Sequence, residues 1–205
     1  MSLLLEVNNL SFSWGSNKVL NDINFSIKPK QFVSILGSNG AGKTSLLKCL
    51  NRILQPQSGS VEILSNDISD LDLTAVSKLV SYVPQTVLSS FPVDVFDVVL
   101  LGRRPHITWN ISEQDRDKVS QALELFNLQN FAFRRFDQLS GGEKQRVIIA
   151  KAVAQDPSVL LMDEPTSDLD LKNQVNVMQK IKELISSSGI NKSAIIATHD
   201  MNIAA

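Results

Sequence analysis

The sequence holds a single cysteine, Cys49, and two histidines among 205 residues. One cysteine excludes an intrachain disulfide and any multi-cysteine metal site, which suits a reducing cytosol. No apolar run approaches the ~20 residues of a membrane-spanning helix. The most apolar stretch, Val93 to Leu101, is interrupted by Asp94 and Asp97. Net charge is nearly absent, because 20 Lys plus Arg stand against 21 Asp plus Glu. That balance argues against a strongly electrostatic nucleic-acid binder. The first residues lack the basic start and cleavage site of a secretory signal. What is present is 43% hydrophobic residues, enough for one domain with a sizeable core. The expectation is a soluble intracellular domain.

Period-two patterns predict short strands around Leu5 and Val7, Phe25 and Ile27, Val61 to Ile63, and Ser81 to Val83. Phe32 to Leu36, Val159 to Met162 and Ala194 to Ala197 are continuous apolar runs, as buried strands would be. Between them the period changes. Val119, Ala122, Leu123 and Phe126 fall on one helix face, and Val175, Met178, Ile181 and Ile185 on another. Alternating strands and helices imply an α/β fold with a mostly parallel sheet.

Directly after Phe32–Leu36 comes Gly37-Ser38-Asn39-Gly40-Ala41-Gly42-Lys43-Thr44, a complete G-x-x-x-x-G-K-[ST] pattern. Backbone N–H groups in such a loop curl around phosphate oxygens, and the following helix aims its positive end at the same anion. Lys43 would reach the β- and γ-phosphates, and the Thr44 hydroxyl would hold Mg²⁺. The metal's second partner should be an acid ending another buried strand. Asp163 follows Val159–Met162 and fits, while Glu164, one peptide further, could polarise a water. Ala194–Ala197 leads likewise to Thr198-His199-Asp200, so Gly37, Asp163 and His199 could share one crevice at the strands' carboxyl ends.

Ser140 and Glu143 form a capping box opening an apolar helix, with Gly141 and Gly142 between them. The plainer reading is a well-capped helix, but exposed N–H groups at a positive helix end would make a second anion site. Five of the nine glycines lie in these two places, which favours function over two coincidental turns.

These residues together resemble the ATP-binding subunits of ABC transporters, over nearly the whole chain. Leu139 to Gln145 is similar to the family signature, Gln85 to the Q-loop glutamine, and Ser167 to Asp170 to the D-loop. His199 resembles the switch histidine, and Trp14 stands where an aromatic stacks on adenine, although a partly buried strand-end aromatic is the plainer reading. The resemblance implies a P-loop NTPase core, an N-terminal antiparallel β subdomain and a helical subdomain at approximately 86–156, all within one ATP-binding domain spanning 1–205. It implies ATP hydrolysis with Mg²⁺ as cofactor. Nucleotide would be bound by Trp14, Gly37, Ser38, Asn39, Gly40, Ala41, Gly42, Lys43, Thr44 and Ser45, and by Ser140, Gly141 and Gly142 across a head-to-tail dimer. Thr44, Gln85 and Asp163 would serve the metal, Glu164 would act as base, and His199, Gln85 and Lys43 would complete the catalytic set.

The segment Phe91-Pro92-Val93 through Gly102-Arg103-Arg104-Pro105-His106 resembles importers of iron–siderophore complexes, haem and cobalamin. The plainer reading makes Val95–Leu101 a core helix and Arg103-Arg104 a solvated corner. The resemblance implies permease partners, an extracytoplasmic substrate-binding protein, no nucleic acid, and a place at the cytoplasmic membrane face. A soluble ATPase of iron–sulfur cluster assembly, or one of nucleic-acid maintenance, is the alternative. Family members continue for a few tens of residues past the switch histidine. The expectation is therefore a chain truncated at Ala205, whose last strand, ending at His199, lies uncovered. Lys43→Ala should weaken ATP binding itself, since the ammonium contacts phosphate in the ground state; equilibrium titration with ATP measures this.

Overall fold

A computed structural model describes residues 3–86, 92–166, 169–187 and 191–200. Phe91, Ser167 and Asp168 lie outside the described residues, so part of the D-loop resemblance and the start of the importer-like segment carry no structural account.

Among the described residues, two four-stranded sheets organise the fold. The first is antiparallel, with β1 (Leu5–Trp14) between β2 (Asn17–Ile27) and β4 (Ser58–Ile63), and β5 (Asn66–Asp67) at the edge. The second is parallel, in the order β3 (Phe32–Leu36), β8 (Ser193–Thr198), β7 (Val159–Asp163), β6 (Val80–Val83). The helices are α1 (Lys43–Leu50), α2 (Leu73–Leu79), α3 (Val95–Leu100), α4 (Glu113–Leu125), α5 (Gly141–Ala154) and α6 (Leu171–Ser187). Among the described residues no helix is long and apolar enough to cross a membrane.

The apolar strands alternate after all, between two cores rather than between core and water. In β7, Val159 and Leu161 join a cluster with α1 and the antiparallel sheet, while Leu160 and Met162 join one with α3, α4, α5 and α6. Ile195 and Ala197 of β8 face the first cluster, and Ala194 and Ile196 the second. Two-sided burial is what selects uninterrupted apolar runs in parallel strands. Cys49 sits in the first cluster, where burial pushes its thiol up to about 11 and keeps it protonated.

Three sequence expectations need correction. β8 is flanked on both sides by β3 and β7, so the strand leading to His199 is an interior one. β3 holds one edge of that sheet, and its residues are half-buried or, at Leu36, exposed, rather than fully buried. Val175 is exposed, because the inward face of α6 centres on Val177, Met178, Ile181 and Ile185, and Val175 lies well round the helix from Ile181.

Parallel pairing fixes where chemistry can collect. Leu36 pairs with Thr198, Asp163 with Ala197, and Val83 with Met162, so four strands end together. Their continuations are Gly37, His199, Glu164 and Gln85. Asp156, just ahead of β7, is gripped by Lys192 and, at 2.9 Å, by Lys118. Burial opposes its ionisation, but the hydrogen bonds from both lysines outweigh this and hold its pKa at about 2. A depressed carboxyl pKa contributes stability above the unfolded value near 3.8, and that stability disappears as pH falls toward 2. Asp156→Asn should therefore lose about 1–2 kcal/mol at pH 7 relative to the unmodified chain, and the difference should shrink below pH 4. Urea midpoints for both proteins across that range check it.

Candidate active site

The phosphate loop turns from β3 into α1 through Gly42, whose φ is +90°. A side chain there would meet strain and crowding at once, since an added Cβ would lie 2.9 Å from Val19 Cγ1. Gly42 also occupies the N-cap of α1 and offers no capping side chain, so no side-chain oxygen takes up the helix's first N–H groups. The Lys43 ammonium curls back over the loop, donating to the Gly37 carbonyl at 2.7 Å and the Ser38 carbonyl at 3.1 Å.

Beside the loop lies a cleft of about 460 Å³. Its walls are Trp14, Asn17, Val19, Asn39 through Ser45, Gln85 and Glu164. Trp14 ends β1 at a two-residue turn, pairs with Asn17 across it, and is 56% exposed. Its ring stands edge-on to Phe12 at 5.1 Å, and its indole N–H reaches Ser45 Oγ at 3.4 Å. The indole is thus braced at a cleft wall rather than packed into the core. Asn17 and Val19 were not foreseen; the tight turn after Trp14 was the available signal.

Glu164 is the convergence point. Lys43 Nζ lies 3.5 Å from its Oε1, while Gln85 Nε2 donates to Oε2 at 3.2 Å and His199 Nδ1 lies 3.1 Å from the same oxygen. The carboxylate side chain is 10% exposed, the imidazole 60%. Glu164 adopts φ +45°, which an L-residue occupies only at some cost. Its N–H is anchored on the Ala197 carbonyl at 2.9 Å. The left-handed backbone lets adjacent residues take different partners: Glu164 meets Lys43, Gln85 and His199, whereas buried Asp163 accepts from the Tyr82 hydroxyl at 3.1 Å. Burial and the Asp163 charge push the Tyr82 phenol well above its ordinary pKa, so it remains a donor. Nothing in the local pattern at Tyr82 announced this contact.

Ser140, Gly141 and Gly142 open α5 and are not among the residues lining the cleft. The capping box forms as expected: Glu143 N–H donates to Ser140 Oγ at 3.3 Å, and Ser140 N–H to Glu143 Oε2 at 2.8 Å. The Ser140 hydrogen bonds lead in lowering the Glu143 pKa. Arg103 contradicts the solvated-corner reading. It is 5% exposed, because its guanidinium is paired with Asp115 at 3.0 Å. Arg104 is exposed.

A family described as ABC transporter matches residues 20–167. This chain belongs to that family. An uncharacterised ABC transporter ATP-binding protein of Methanocaldococcus jannaschii is 46% identical over 202 residues, covering 98% of this chain and 78% of its own. A cobalamin import ATP-binding protein of Halobacterium salinarum is 36% identical over 203 residues, and this chain spans half of its length. Among solved structures, a putative metal-chelate type ABC transporter in an inward-facing conformation shares 34% identity with a TM-score of 0.84, over 99% of this chain and 75% of that one. A bacterial ABC transporter cassette solved as a dimer gives 30% and 0.86, over 98% and 90%. The fold of this ABC chain is accordingly that of an ATP-binding cassette, and its activity is ATP hydrolysis.

Gly42→Ala should place a β-carbon against Val19 and force the loop from its left-handed turn. The expected result is a stability loss of about 1–3 kcal/mol and weakened ATP binding. Thermal unfolding with and without ATP measures both.

Proposed function

We propose that this chain is the ATP-hydrolysing subunit of an importer, driving uptake of an iron complex, haem or cobalamin through membrane permease subunits. The observation that carries the catalytic part is the grip on Glu164 by Lys43, Gln85 and His199. A buried carboxylate touched by a neutral amide and an imidazole can take a proton from water as the water attacks the γ-phosphorus. Gln85 orients that water, and His199 holds the carboxylate and reaches the γ-phosphate. Lys43, already folded over the loop carbonyls, turns to the β- and γ-phosphates, while Trp14 stacks on the base. The described residues within approximately 86–156 form the helical part of a single ATP-binding domain.

Thr44, Gln85 and Asp163 offer a hydroxyl, an amide oxygen and a carboxylate, an all-oxygen set that suits a hard ion such as Mg²⁺. When bound, Mg²⁺ neutralises phosphate charge. Tyr82 keeps one Asp163 oxygen in place for that task.

Ser140, Gly141 and Gly142 open a helix away from the cleft lining, so they serve a nucleotide held by a second subunit, head to tail. The importer assignment draws on the cobalamin and metal-chelate relatives and on the Gly102–His106 segment. An extracytoplasmic binding protein and a peripheral position at the cytoplasmic membrane face follow from it.

Glu164→Gln should retain ATP, lose about 100-fold or more in hydrolysis, and accumulate as a nucleotide-bound dimer on sizing with Mg·ATP. Ser140→Arg should bind ATP normally yet neither dimerise nor hydrolyse it. Mixed with Lys43→Ala, it should recover partial ATPase, because one composite site then carries neither lesion. A strictly monomeric Glu164→Gln protein, or ATP affinity lost in isolated Ser140→Arg, would remove the shared-site reading.

A further inference from the structure

The buried Arg103 lies at the far end of the helix that Ser140 opens. Leu101–Arg103 is a short turn following α3, and it presses on α5 so closely that a β-carbon on Gly102 would stand 2.1 Å from the Lys151 carbonyl oxygen. Only a glycine admits that approach. From this position Arg103 Nη1 donates to the Ala154 carbonyl at 2.9 Å and the Gln155 carbonyl at 3.4 Å. The His106 ring supplies another bond to the Gln155 carbonyl, at 2.9 Å, with Nε2 as the donor because its partner is an oxygen acceptor. These are the carbonyls a helix leaves unsatisfied at its C-terminal end, where positive charge is also favoured.

Asp115 locks the guanidinium from the opposite side. It is 4% exposed, and although burial opposes its ionisation, hydrogen bonds from Ser112 and Arg103 hold its pKa below the ordinary range. Gln155 then passes the connection on. Its side-chain amide donates to the Ser77 carbonyl and, at 2.8 Å, to the Val80 carbonyl at the start of β6. Two residues beyond the end of β6 comes Gln85, which touches Glu164. Beside this connection, Pro84 and Thr86 of the Gln85 segment share a cavity of about 310 Å³ with Ile148, Lys151, Ala152 and Gln155.

We infer that Arg103 and His106 are positioning residues for the Ser140–Gly142 end of α5, fixing that helix against the strand that delivers Gln85. The inference rests on the proposed dimer, in which Ser140 meets a partner's nucleotide. A helix of 14 residues is roughly 20 Å long, so a tilt of about 3° at the clamp moves Ser140 by about 1 Å. Displacements of that size at a reacting centre cost up to about 100-fold in rate. The clamp therefore acts on turnover and dimer closure, and neither of its residues lines the cleft of the isolated chain.

The test uses full-length chains. His106→Ala removes one donor from a partly buried ring, His106→Gln restores an N–H, and Arg103→Lys keeps the charge toward Asp115 without the fork. Tryptophan fluorescence titration gives ATP affinity, steady-state assays give KM and kcat, and sizing of the same substitutions in a Glu164→Gln background gives dimerisation. His106→Ala and Arg103→Lys should leave ATP affinity and KM within about twofold and lower kcat and dimer affinity about 5-fold, the scale of one lost hydrogen bond. His106→Gln should return both to within about twofold. Should Arg103→Lys fail to fold, His106→Ala and its glutamine rescue decide alone. Lower melting temperature with unchanged kcat and dimerisation would overturn the inference. If Glu164→Gln itself never dimerises with ATP, the proposed function falls, and this inference with it, whatever the clamp variants do.

Discussion

Parallel register among β3, β8, β7 and β6 is the constraint on which the site depends. Pairing of Leu36 with Thr198 and of Asp163 with Ala197 brings sequence-distant strand ends level. Gly37, Glu164 and His199 then need only one or two further residues of chain to meet. A shift of one residue in β7 would exchange its two faces between the two cores, so packing resists slippage strongly. The geometry around Glu164 is thus a consequence of burying Val159 through Met162 on both sides.

Charge placement follows the same economy. The interior acids each have designated partners: Asp115 has Arg103 and Ser112, Asp163 has Tyr82, and Glu164 has Lys43, Gln85 and His199. A buried carboxylate without such contacts would protonate or pull in water. The pairs at Asp115 and Glu164 differ in kind, however. Arg103–Asp115 is closed on both sides by helix carbonyls and Ser112, whereas the Glu164 cluster opens onto the cleft.

Local chemistry was legible in the sequence, and non-local arrangement much less so. The phosphate loop, the capping box at Ser140 and the acid pair after β7 all announce themselves within a few residues. So do most strands and the longer helices, whose periods are short-range, whereas α2 and the two-residue β5 are too short to show one. The faces and neighbours are another matter. Val175 fits a helical spacing yet points to solvent, because the inward direction of α6 is set by the sheet it packs on. β8 lies inside its sheet because strand order is decided by partners far along the chain. Arg103 looks like a surface charge until α4 and α5 supply its carboxylate and carbonyls, and Tyr82 finds Asp163 only through adjacency of β6 and β7.

The left-handed backbone of Glu164 has a mechanical implication. If Gln85 and Lys43 turn to water and phosphate as proposed, the Glu164 carboxylate loses two of its present partners. The Glu164 backbone is held separately, through its own N–H on the Ala197 carbonyl of the neighbouring strand. The direction of its Cα–Cβ bond is therefore set by the strand register, independently of what the carboxylate touches.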